Sequence, residues 1–166
     1  MSLEQPFAEA LDANKERIYR ICSIYAVSPF EPQDLFQEVV FQIWKSFPSF
    51  RNEANIGTWI YRISVNVCYN FKLKFDRKNV RTDRLESIRY THLEISSDSK
   101  QQDKFQTLKE CISHLNESDK ALVVLYLEEV PYKEIAAIVG LTENHVAVKM
   151  KRIRAKLFDC ITKKLA

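Results

Sequence analysis

Apolar residues recur at helical spacing along the first eighty positions of the chain. Leu11, Ile18, Ile21, Cys22 and Tyr25 form one stripe, the periodicity of a helix with a single buried face. Ser28-Pro29 and Glu31-Pro32 interrupt it, because proline lacks the N–H that a helix interior requires. A second predicted helix carries Phe36, Val40, Ile43 and Phe47, with Leu35, Val39 and Trp44 beside them, and Pro48 stops it. After the polar stretch "SFRNEANIG", a third shows Trp59 or Ile60, then Ile63, Val67 and Phe71. Three such stripes can bury against one another as a small bundle.

The pattern fades over "NVRTDRLESIRYTHLEISSDSKQQDK", residues 79–104. Its polar, mixed-charge composition is that of a flexible linker, with room for a short helix around Leu85 to Tyr90. Periodicity returns with Phe105, Leu108 and Ile112, and again with Leu122, Leu125 and Tyr126. The chain holds two glycines and five prolines, and it lacks β-branched runs bounded by turn residues. The expected fold is therefore all-α. Two small helical domains, 1–80 and 105–166, flank a linker at 81–104.

Charge separates the two ends. Residues 1–60 carry five Lys/Arg against eight Asp/Glu, while 143–166 carry seven against two. An acidic front and a basic tail point to two different partners, one of them polyanionic. Cys22, Cys68, Cys111 and Cys160 lie far apart, without the paired spacing of a zinc site. They read as buried, reduced thiols of a cytoplasmic protein. Neither a signal peptide nor an apolar run of transmembrane length is visible.

The basic tail has a specific grammar. In "YKEIAAIVGLTENHVAVKMKRIRAKL", Ile135, Ala136, Val139, Gly140, Leu141 and Val146 fall where a helix-turn-helix needs them. Ala136 is small enough for a close helix crossing, and Gly140 can take the positive φ of the tight turn. Thr142 is placed to cap the following helix. Val146, Met150, Ile153 and Leu157 make one core stripe. With that stripe inward, Asn144, Val148, Lys151 and Arg152 face out, His145, Lys149 and Lys156 flank them, and Arg154 lies on the other side. A cationic helix alone is usually a solvated face. Following this turn, it reads as a recognition helix whose first residues meet base edges and whose later cations meet phosphates.

In the N-terminal half, Trp44, Trp59, Tyr61, Phe50 and Tyr69 stand among Arg51, Arg62, Lys72 and Lys74. Aromatic faces interleaved with cations suit single-stranded nucleic acid. Trp44 and Trp59 read more simply as core, whereas Arg62, Asn66 and Asn70 leave a polar face on the third helix. His92, His114 and His145 are isolated, so neither a metal site nor a catalytic set is expected.

Taken in order, these pieces resemble an extracytoplasmic-function (ECF) sigma factor of the sigma-70 family. "DLFQEVVFQIW" with "TWIYRISVNVCYN" resembles region 2, and "LNESDKALVVLYLEEVPYKEIAAIVGLTENHVAVKMKRIRAKL" resembles region 4. The resemblance implies a dissociable subunit of RNA polymerase that recognises promoters, with no cofactor, no small-molecule substrate and no enzymatic activity of its own. It implies docking on the β′ clamp helices through Asp34, Gln37 and Glu38, and a second contact with the β flap. It implies capture of −10 bases by the loop from Arg51 and Asn52 to Gly57, and by Arg62, Asn66, Tyr69 and Asn70. The −35 duplex falls to Thr142, Asn144, His145, Ala147, Val148, Lys149, Lys151 and Arg152. Ala147 and Val148 depart from the cation and serine common there, so the −35 base preference is not carried over. The resemblance also implies an anti-sigma partner. At this length no large middle domain or acidic N-terminal extension is expected, which matches the compact ECF type.

Two rival readings remain at this level. A dimeric helix-turn-helix regulator accounts for residues 105–160 and leaves the aromatic-basic helix unexplained. An enzyme with a helical pocket would need a titratable cluster that the chain does not show.

Overall fold

A computed structural model describes residues 2–27, 29–53, 55–81 and 99–166. The described residues form seven α-helices and a single 3-10 turn, with no strand among them. The chain divides into two compact units, Met1–Tyr90 and Thr91–Ala166. The short helix expected around Leu85 to Tyr90, and most of the expected linker, lie outside the described residues.

The N-terminal unit packs three helices mutually: α1 (Glu4–Tyr25), α2 (Pro32–Ser46) and α3 (Ile56–Arg81). Pro32 occupies the first turn of α2, where its missing N–H costs nothing. Asp34 Oδ2 accepts the Glu31 backbone N–H at 2.9 Å and closes the helix start. The core is Ile18, Ile21, Cys22 and Tyr25 from α1, Leu35, Val39 and Ile43 from α2, and Ile60, Tyr61, Val65 and Cys68 from α3. Phe47, in the 3-10 turn Phe47–Ser49, closes its end.

Two sequence expectations change here. The buried line of α3 runs through Ile60, Ser64 and Cys68, whereas Ile63, Val67 and Phe71 are half-buried. Ser64 enters the core because its hydroxyl donates to the Ile60 carbonyl at 2.8 Å, satisfying the polar group within its own helix. Trp44 is 42% exposed rather than core. Val39, Ile43 and Phe47 fill the interior at successive turns, which leaves Trp44 one residue round at the rim. There its ring meets Phe7 edge-on, with centroids 4.9 Å apart. Trp59 is half-buried between Phe47 and Phe50.

The C-terminal unit holds α4 (Ser99–Ser113), α5 (Glu117–Leu127), α6 (Tyr132–Val139) and α7 (Glu143–Leu165). Helix α4 starts six residues before the expected boundary at 105. Asn116 caps α5 by accepting the Asp119 N–H at 2.8 Å. Ile112, Leu122, Val124, Leu125, Ile135, Val146, Met150 and Ile153 form the core. The α7 stripe is the one expected from the spacing.

The cysteine expectation holds for one pair and fails for the other. Cys22 and Cys68 are free and buried, their sulfurs 4.0 Å apart between α1 and α3. The Cys68 thiol is pushed well above its ordinary range, first by its hydrogen bond to Cys22 and then by burial. Cys111 and Cys160 are joined in a disulfide. They stand 49 residues apart in sequence, but the packing of α4 on α7 brings their Cα atoms to 5.9 Å, within disulfide reach. Beside that bond, Lys164 Nζ donates to Glu110 Oε2 at 3.0 Å. The ammonium holds the Glu110 carboxyl below its ordinary value, against a smaller opposing effect of burial.

Candidate nucleic-acid interfaces

The turn between α6 and α7 is built as the residue types dictate. Gly140 ends α6 at φ 74°, a left-handed conformation that costs a β-carbon-bearing residue dearly. The Gly140 and Leu141 N–H groups both reach the Ala136 carbonyl, at 2.9 and 3.0 Å. Thr142 Oγ1 accepts the His145 N–H at 3.1 Å and starts α7. Glycine and threonine thereby fix the angle at which α7 leaves α6.

Once Val146, Met150, Ile153 and Leu157 are buried, the outer face of α7 follows from 3.6-residue geometry. Asn144, His145, Val148, Lys151 and Arg152 are exposed, as is the capping Thr142, and Ala147 is half-buried. Val148 is 44% exposed, an uncharged wedge in the middle of a polar face. Lys149, on the flank of that face, is half-buried. Its ammonium lies 4.0 Å from Asp119 Oδ1 of α5, and Lys156 lies 3.8 Å from Asp119 Oδ2. Arg154, on the far side, has its guanidinium 5.9 Å from the Tyr126 ring centroid.

In the N-terminal unit, the loop after the 3-10 turn presents Arg51 and Asn52 to solvent. Asn52 sits at φ 58°, a region that asparagine tolerates better than most residues. Gly57 at the foot of the loop is buried, and its N–H donates to Asn55 Oδ1 at 2.8 Å. Beneath it a polar network crosses from α1 to α3. Tyr61 donates its hydroxyl to Asn14 Oδ1 at 2.9 Å, and Arg17 donates to that hydroxyl at 2.8 Å. A β-carbon on Gly57 would stand 3.1 Å from Asn55 Oδ1 and 3.4 Å from Asn14 Oδ1.

Asn66 and Asn70 open onto a groove of about 510 Å³ between α3 and α2. Lys74, Glu38, Gln42 and Ser46 share it, over an apolar floor that includes Ile63 and Val67. Arg62 is exposed and Tyr69 half-buried, and neither lines this groove. The three residues expected to dock on polymerase stand at i, i+3 and i+4 of α2 and are all exposed, but they border different grooves. Glu38 turns toward Asn66, whereas Gln37 borders an apolar groove of about 380 Å³ with Phe7, Phe36, Val40, Phe41 and Trp44. Adjacent helical residues point about 100° apart, which is why two neighbours part company here. Asp34 is exposed, with one carboxylate oxygen engaged at the helix start.

Spacing and charge did not single out Asp119 or the Asn14–Tyr61 pair. Asn14 did leave a trace in the sequence, since it falls one helical turn before Ile18 on the buried stripe of α1. Asp119 left none, because its two lysine neighbours come from α7 thirty and more positions away.

A helix-turn-helix with an exposed basic helix, beside a separate three-helix unit, is the architecture of a two-unit nucleic-acid-binding protein. The family models agree and are more specific. Sigma-70 region 2 matches residues 10–78, and Sigma-70 region 4 matches residues 105–157. This chain belongs to the sigma-70 family. It is 26% identical over 140 residues to RNA polymerase sigma factor SigV of Bacillus subtilis (strain 168), covering 84% of this chain and 81% of that protein. It is 25% identical over 154 residues to the ECF RNA polymerase sigma-E factor of Escherichia coli (strain K12), covering 84% and 78%. Among solved structures, the fold is similar to the sigma factor RpoE from Bartonella quintana, solved in complex with the anti-sigma factor NepR. That match has a TM-score of 0.71 at 20% identity, over 96% of both chains. CnrH, solved in complex with the cytosolic domain of CnrY, matches with a TM-score of 0.67 at 14% identity, covering 96% and 90%. Members of this family are initiation factors without catalysis, so the chain is not an enzyme.

Proposed function

We propose that this chain associates with core RNA polymerase, recognises −10 and −35 promoter elements and directs transcription initiation as an ECF-type sigma factor. The observation that carries the reading is the presence of region 2 and region 4 in one chain, in that order. A dimeric helix-turn-helix regulator would account for the second alone. In this reading 1–80 and 105–166 are the two working domains. Asp34, Gln37 and Glu38 contribute to docking on the β′ clamp helices, and the C-terminal domain meets the β flap. Arg51, Asn52, Arg62, Asn66, Tyr69 and Asn70 handle unstacked −10 bases. Thr142, Asn144, His145, Ala147, Val148, Lys149, Lys151 and Arg152 address the −35 duplex.

The protein works in the cytoplasm, a reading consistent with the absence, among the described residues, of any helix long and apolar enough to cross a membrane. An anti-sigma partner holds it inactive, a reading supported by two structural neighbours that were each captured with a protein partner.

The test is reconstitution. The purified chain should comigrate with core polymerase in gel filtration and support run-off transcription from a random promoter library, enriching two elements at fixed spacing. A chain that dimerises, ignores core polymerase and still binds duplex DNA would be the regulator instead.

A further inference from the structure

We propose that Asp119 is a specificity-determining residue, a fixed carboxylate that competes with DNA phosphate for Lys149 and Lys156 and so weakens their sequence-independent attraction to duplex. This rests on the reading of α7 as the −35 helix.

Lys149 and Lys156 lie seven residues, or two turns, apart on one side of α7. A single carboxylate on α5 stands between them, 4.0 Å from one ammonium and 3.8 Å from the other. The Asp119 side chain is only 12% exposed. It is also held in place, since Oδ2 is 3.3 Å from the Asn116 amide nitrogen and the Asp119 N–H donates to Asn116 Oδ1. Lys149 is drawn in to 30% exposure, whereas Lys156 keeps 63%. The acid therefore belongs to the capped first turn of α5.

The consequence is electrostatic. Each lysine free to neutralise a phosphate strengthens binding to every sequence alike, by releasing condensed counterions. Such contacts position a protein on DNA without reading bases. A fixed carboxylate beside two lysines competes with phosphate for both. It lowers attraction to arbitrary duplex through Lys149 and Lys156, while Lys151 projects from another side of the helix and keeps its charge for DNA. The ratio of specific to non-specific binding rises as a result.

The experiment uses holoenzyme reconstituted from core polymerase and the full chain. The probes are a promoter duplex selected from a random pool and a scrambled duplex of the same composition, each measured across a salt series. Asp119→Asn keeps the size and hydrogen-bonding reach of the side chain and removes its charge. It should tighten scrambled-duplex binding several-fold near 0.1 M salt, steepen the salt dependence by about one to two ions, and lower the promoter-to-scrambled ratio. Asp159→Asn, the same charge change at an exposed position on α7, should do less. In a Lys149→Gln, Lys156→Gln background the Asp119→Asn effect should vanish.

The proposal is overturned if Asp119→Asn behaves like Asp159→Asn, or if its effect survives loss of both lysines. It is equally overturned if promoter binding weakens while scrambled binding stays constant. Circular dichroism of Asp119→Asn checks that α5 is intact, and Asp119→Ser, equally uncharged, must give the same direction. The underlying DNA reading is tested apart from this. If Lys151→Ala with Arg152→Ala leaves −35 dependence unchanged, α7 is not the reader, whatever Asp119 does.

Discussion

Tyr61 donates its hydroxyl to Asn14 across 47 residues of sequence, directly beneath Gly57. The bond is buried and joins α1 to the start of α3, the end from which the proposed −10 loop departs. Tyr61→Phe should leave the Asn14 oxygen with one partner fewer in an enclosed setting, at about 1–3 kcal/mol. Urea denaturation should show that loss in the N-terminal unit. Promoter opening should fall with it, while binding to a −35 duplex should not. Equal loss of both would mean that the network serves general stability alone.

Gly140 isolates backbone strain from packing. A β-carbon there meets nothing within 4 Å, yet φ is 74°. Gly140→Ala should therefore destabilise the C-terminal unit by ~1–2 kcal/mol, purely through the left-handed conformation. Gly140→Asn should cost less, because asparagine visits that region more readily. The two chemical-denaturation midpoints decide between strain and crowding.

Thiol counting reads the two cysteine pairs separately. Native protein, purified without reductant, should react with alkylating reagent at neither Cys22 nor Cys68, since both are buried and the Cys68 thiol is raised. Denatured without reductant it should give two thiols, and after reduction four. Closing the loop from Cys111 to Cys160 should stabilise the C-terminal unit by roughly 4 kcal/mol in the chain-entropy account. A dithiothreitol-dependent drop in its unfolding midpoint is the measurement. Four thiols without reductant would return these cysteines to the reduced state that their sequence spacing suggested.

The Glu110–Lys164 contact makes a pH prediction with a definite sign. The Glu110 carboxyl is held below its ordinary value by the lysine hydrogen bond. Its contribution is present above the unfolded carboxyl pKa and is lost as pH falls through the lower folded value. Lys164→Ala should move the Glu110 titration upward by NMR. The effect on stability near neutral pH should be small, because both side chains are well exposed.

The division of labour between the units can be separated by readout. Arg152→Ala should weaken −35 duplex binding. If the lost contact is to a base, the cost is ~1–3 kcal/mol at one base pair, and if it is to a phosphate, the salt slope falls by about one. Asn66→Ala should spare that duplex and slow strand opening, with partial rescue on a pre-melted template. Comparable loss of −35 binding in both variants would sink the assignment.

The sequence by itself determined the helices, the turn and the outward face of α7. Those are local matters. Helical period, proline position, the glycine at Gly140 and the cap at Thr142 act within a few residues and leave a pattern on the chain. The family was legible for the same reason, since each region carries its motif in one continuous stretch. Only the tertiary structure decided the rest. Trp44 falls to the rim because Ile43 and Phe47 already fill the space. Ser64 enters the core because the Ile60 carbonyl accepts its hydrogen bond. Glu38 and Gln37 face different grooves although they are adjacent in the chain. Cys111 meets Cys160, and Asp119 meets Lys149 and Lys156, because helices distant in sequence pack side by side. Such pairings depend on which faces meet in space, and no spacing along a single chain encodes that in a form periodicity can read.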